Sequence, residues 1–105
     1  MKPVHLRPLA QDDLVGLTQH YRQAGGDELA IRFFDAALAA LRAIEEMPGI
    51  GSPTIGELIG IDGLRRVAVE GFPCGWLYLE RSELLDVIRI LADRQDLELL
   101  LGHAD

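Results

Sequence analysis

Arginine and aromatic side chains are concentrated in one stretch, GLRRVAVEGFPCGWLYLE, from Gly63 to Glu80. Arg65 and Arg66 open a β-like run, a Gly-Phe-Pro turn follows, and Trp76 and Tyr78 stand two residues apart. Two more arginines, Arg89 and Arg94, come after it. Guanidinium and aromatic groups in such proximity support three kinds of chemistry. They stack on a nucleic acid, they anchor a protein interface, or they pair across strands to staple a sheet.

Other chemistries find little material. No glycine-rich phosphate loop follows a strand, no histidines have metal-ligand spacing, and there is no nucleophile elbow. His5, His20 and His103 are scattered, and a lone histidine is more often a surface residue than a base. Asp12-Asp13 and Glu45-Glu46 read as solvated charge at helix ends or on polar faces. Cys74 is the single cysteine, which rules out an intramolecular disulfide or a cysteine zinc site. The expectation is no catalytic residue, no metal and no cofactor.

Charge narrows the partners. The formal net charge is −7, and the ten basic residues comprise nine arginines and Lys2. An acidic domain is repelled by phosphate backbones unless its positive charge is focused on one face, so direct specific nucleic-acid binding is not expected. Arginines without lysines suit planar ion pairs with carboxylates, although a GC-rich genome accounts for the same bias. Hydrophobic residues at 49% and charged residues at 26% describe a globular chain. No apolar run approaches the ~18 residues that span a bilayer, and MKPVHLRPLAQDD lacks a signal-peptide core. A single domain over residues 1–105, cytoplasmic and without membrane contact, is expected.

The elements that must position these residues follow from periodicity. PVHLRP at 3–8 reads as a short strand with a proline at each end. A helix is expected from about Ala10, with Asp12 and Asp13 in its first turn and Gly25-Gly26 as its stop. Asp27 caps a second helix, whose apolar stripe is Ala30, Phe34, Ala37, Leu38, Leu41 and Ile44, ending before Pro48-Gly49. The glycine-rich 49–63 stretch reads as an irregular loop. Strands are expected over Leu64–Glu70, Cys74–Arg81 and Leu84–Ala92, and their short connections demand antiparallel pairing. Asp93–Leu101 reads as a short helix or tail.

The order β-α-α-β-β-β with a short C-terminal helix predicts an α+β fold. In it an antiparallel sheet packs against an N-terminal helical hairpin, its other face solvated or open to a partner. Strict alternation puts Arg65 with Val67, Trp76 with Tyr78, and Val87 with Arg89 and Leu91. Leu77 with Leu79, and Asp86 with Ile88 and Ile90, fall on the opposite faces.

Taken together, the motifs resemble the ParE branch of the RelE/ParE toxin superfamily, the toxins of type II toxin–antitoxin modules. The likeness runs from Ala10, Asp13 and Leu14 through Tyr21 and AIRFFDAALAALRAIEEMPGIG, with its Pro48-x-x-Gly51. It continues through GLRRVAVEGFPCGWLYLE and VIRILADRQDLELLL. Three positions depart from the family pattern: Leu79 stands where an arginine is common, Ala92 where a histidine is common, and Gln95-Asp96 where an Arg-Asp pair usually follows.

The resemblance implies a protein that works by binding: a toxin that inhibits DNA gyrase and is neutralised by a ParD-like antitoxin. Arg65, Arg66, Trp76, Tyr78, Arg89 and Arg94 are then the candidate antitoxin- or target-binding residues. Two alternatives stay open. One is the ribosome-dependent mRNA endoribonuclease of the RelE branch, which needs lysine, arginine and tyrosine where phosphate charge develops. The other is an inactive homologue that only binds antitoxin.

Overall fold

A computed structural model of the protein describes residues 1–93. Its elements are β1 (Val4–Leu6), α1 (Pro8–Glu46), a 3₁₀ turn (Pro48–Ile50), α2 (Thr54–Ile59), β2 (Arg65–Ala68), β3 (Cys74–Glu80) and β4 (Leu85–Ala92). Apart from Asp93, the expected terminal helix lies outside the described residues.

Proline sets the start of α1. Pro8 occupies its first turn, where a fixed φ and a missing N–H cost nothing, so the helix begins before Ala10. No acid falls in that first turn, contrary to the expectation for Asp12 and Asp13. Glycine sets the middle. Gly25 and Gly26 leave helical geometry, and Gly26 has φ +78°, a conformation that costs glycine nothing. The chain folds back at this point. The rings of Tyr21 and Phe33 lie 4.8 Å apart, whereas a continuous helix would separate those residues by ~18 Å. The expected helical hairpin is therefore present as two arms of α1.

The sheet has the order β1-β4-β3-β2. β2, β3 and β4 pair antiparallel, as their short connections require. β1 pairs with β4 in parallel, so the sheet is mixed and not wholly antiparallel. The short-connection argument applies only to successive strands. Between β1 and its neighbour the chain runs through the whole hairpin, long enough to permit a parallel crossover.

Two cores result. Between α1 and the sheet, Phe33, Ala37 and Ile44 pack on Trp76, Tyr78 and Val87. Phe33 is the buried phenylalanine and Phe34 is 39% exposed, which corrects the predicted stripe; Leu38 is half-buried and Leu41 buried. The 3-4 spacing Ala30-Phe33-Ala37-Leu41-Ile44 follows the buried face, where Phe33 also meets Phe72 of the β2–β3 turn. On the far face, Ile55 of α2 packs with Leu64, Leu77 and Leu91. The 49–63 stretch is therefore not an irregular loop, and that sheet face is partly covered.

A bulge breaks the alternation in β4. Leu77 pairs with Arg89 but Tyr78 pairs with Val87, leaving Ile88 as an extra residue. Val87 and Ile90 consequently both join the α1-side core, while Ile88 and Leu91 turn to the far face. Strict parity had put Val87 with Leu91 and Ile88 with Ile90.

Candidate functional site

The five described candidate residues do not form one exposed patch. Trp76 and Tyr78 are completely buried. The Trp76 indole donates to the Ala37 carbonyl of α1 at 3.0 Å, which ties the middle of β3 to the hairpin. The Tyr78 hydroxyl donates to the Pro48 carbonyl at 2.7 Å and accepts from the Gly51 N–H at 3.0 Å. Burial pushes the Tyr78 phenol up, partly offset by the Gly51 hydrogen bond. Neither ring has surface to offer a partner in this state.

Each of the three described arginines of the set has an intramolecular role. Arg65 Nη1 donates to the Gly51 carbonyl at 2.7 Å. Together, Arg65 and Tyr78 hold both backbone groups of Gly51, whose Cα lies so near the phenol that a Cβ would come within 2.6 Å of its oxygen. Arg66 crosses Gly75 to pair with Asp93. Arg89 makes a two-pronged pair with Asp13 of α1, at 2.9 and 2.7 Å. That hydrogen bonding raises the guanidinium pKa against the opposing effect of burial. Asp13 also accepts from the Ile90 N–H at 3.3 Å, so it docks the first arm on β4. Arg94 lies outside the described residues.

A second polar group forms at the β1–β4 end, which sequence reasoning did not assemble. Asp86, 8% exposed, accepts from Arg7 at 2.9 and 2.8 Å and from Arg81 at 3.3 and 3.2 Å. The hydrogen bonds from Arg7 hold the Asp86 carboxyl below the usual carboxylate range; burial opposes them and Arg81 assists. Arg7 sits at the β1–α1 junction and Arg81 in the β3–β4 turn, 74 positions apart in sequence. The local signal is no more than an arginine directly after β1 and another directly after β3.

Among the described residues no group of three or more histidine, cysteine, aspartate or glutamate side chains is arranged to hold a metal ion. No helix there is long and apolar enough to cross a membrane.

A helical hairpin on a mixed four-stranded sheet, with several arginines held by carboxylates, defines a small α+β protein. The sequence matches the family described as ParE toxin of type II toxin-antitoxin system, parDE, over residues 4–97, and the chain belongs to that family. A chain of the chromosomal ParDE TA system from P. aeruginosa superposes with a TM-score of 0.75 at 19% identity, covering 88% of this chain and 96% of that chain. At that identity the likeness is one of fold. No curated protein matches.

Proposed function

We propose that this toxin acts by binding, with DNA gyrase as its target and a ParD-like antitoxin as its inhibitor, and that residues 1–105 work as one domain in the cytoplasm. The observation that carries this reading is the environment of Tyr78. An RNase of the related branch needs a phenol and free cations around the scissile phosphate. Here the strand tyrosine is sealed between Pro48 and Gly51, and Arg89 is tied to Asp13. A chain of charge −7 is also poorly suited to a polyanionic substrate. The ParDE system of the structural relative supports a ParD-like partner. So do Leu9, Val15, Ile31 and Phe34, which stay exposed on α1 and offer apolar surface for an antitoxin segment to cover. In this reading Arg65, Arg66, Arg89 and Arg94 contribute to binding at the edges of such a contact, while Trp76 and Tyr78 act indirectly by shaping the sheet.

A supercoiling assay run beside primer-extension mapping of ribosome-bound mRNA tests the proposal. Inhibited supercoiling or trapped cleaved DNA, with mRNA intact, is the expected result. Codon-phased mRNA cuts with normal supercoiling would establish the RNase branch instead. Silence in both assays from folded protein would mark a homologue that only binds its antitoxin.

A further inference from the structure

The described cations are not equally satisfied. Lys2 pairs with Glu80, Arg22 with Asp27 and Arg89 with Asp13, each one to one. Arg7 and Arg81 differ, because they share the single carboxylate of Asp86. Each commits Nε and Nη2 to Asp86, as Arg89 does to Asp13, and among the described residues neither Nη1 group meets an acceptor; what sets this pair apart is two cations on one carboxylate. Asp86 Oδ2 already accepts three N–H groups and has little left to give. The two arginine side chains are 44% and 52% exposed, and they line an open depression of about 480 Å³ together with His5, Ser82 and Glu83.

The arrangement is held in place before any ligand arrives. Asp86 lies in β4, between β1 and β3, and the Arg7 backbone N–H donates to the Val87 carbonyl at 3.0 Å. A guanidinium fork fixed by its own carboxylate loses little rotational freedom when it takes a second acceptor.

We propose that Arg7 and Arg81 form a docking site for a side-chain carboxylate of an acidic peptide segment in a partner protein. This rests on the binding-protein reading above and names the chemistry of the partner. A planar carboxylate matches the free edges of two guanidiniums. Glu83, which also lines the depression, favours a ligand that brings a single negative charge to the two guanidiniums over a phosphate group that brings nearly two.

The test is an NMR titration of the full-length protein, following the Nε–H signals of Arg7 and Arg81. The probe is an N-acetylated, C-amidated hexapeptide of alternating glycine and glutamate. Its glutamine counterpart, inorganic phosphate and a single-stranded oligothymidylate are run beside it. The glutamate peptide should shift both arginine signals and the Ser82 amide, with the other three probes weaker by roughly fivefold or more, the scale of a lost charge-assisted hydrogen bond. Arg81→Ala should weaken the peptide by a similar factor while the Arg7–Asp86 pair keeps the fold intact. Glu83→Gln, which touches no structural contact among those described, should tighten it about twofold. Unchanged peptide binding in both variants, or tighter binding of phosphate or oligothymidylate, would overturn the proposal. Because neither gyrase nor antitoxin is in the tube, a failed supercoiling assay and a failed titration refute different statements.

Discussion

The two faces of the sheet are covered very differently. On the α1 side, Phe33, Ile44, Trp76, Tyr78 and Val87 pack as one continuous core, and both polar rings hydrogen-bond to backbone there. On the other side, three buried residues, Leu64, Leu77 and Leu91, pack with Ile55 of α2, a helix of six residues. A helix that short has no stability of its own and persists only through packing. The α1-side core thus sets global stability, while the α2 face is the place for local opening.

Mutation of the deep core should have the largest effect. Phe33→Ala is expected to cost about 3–5 kcal/mol in urea melts, whereas Phe34→Ala, at the exposed neighbouring position, should cost under about 1 kcal/mol. Equal losses would refute the orientation of the second arm. On the thinner face, Leu77→Ala should cost about 2–3 kcal/mol, at the low end for buried leucine because the cover can collapse. Hydrogen exchange of the α2 amides should accelerate first in this variant; uniform acceleration across α1 would erase the distinction between the faces.

The Tyr78–Gly51 contact fastens the turn after α1 to the α1-side core. Tyr78→Phe removes one donor and strands the Pro48 carbonyl and Gly51 N–H, for a loss of about 1–2 kcal/mol. Gly51→Ala should cost about 1–3 kcal/mol, since its Cβ meets a packed ring and not a flexible side-chain end. A neutral result for both in thermal denaturation would show that the turn after α1 is not fastened to the sheet.

The smallest expected effect is electrostatic. The Asp86 pKa is lower folded than unfolded, so its contribution is fully present above the unfolded carboxylate value of about 4. It is lost as pH falls from there through the depressed folded value. Asp86→Asn should therefore flatten the acid limb of the stability profile. Its cost at pH 7 should be about 1–2 kcal/mol, reduced from that of a fully buried pair because both arginines are half in solvent. An unchanged acid limb would remove Asp86 as a structural carboxylate.

Local chemistry made much of this protein legible before any tertiary contact was known. Gly25-Gly26 breaks the helix into a hairpin because only glycine enters Gly26's left-handed backbone freely, and the short 69–73 and 81–84 connections force antiparallel pairing of β2, β3 and β4. The family resemblance rested on these same elements in this order. What sequence could not supply were facts made by distant residues. β1 runs parallel to β4 because a long crossover leaves its direction free. One extra residue at Ile88 reverses side-chain parity along the end of β4, and no local pattern announces it. The arginines and aromatics that stood together in Gly63–Glu80 separated for the same reason. Alternation along a strand fixes which side chains share a face, but only packing decides which face is buried. Packing took Trp76 and Tyr78 into the core, gave Arg89 to Asp13, and brought Arg7 and Arg81 together on Asp86 across 74 positions of chain.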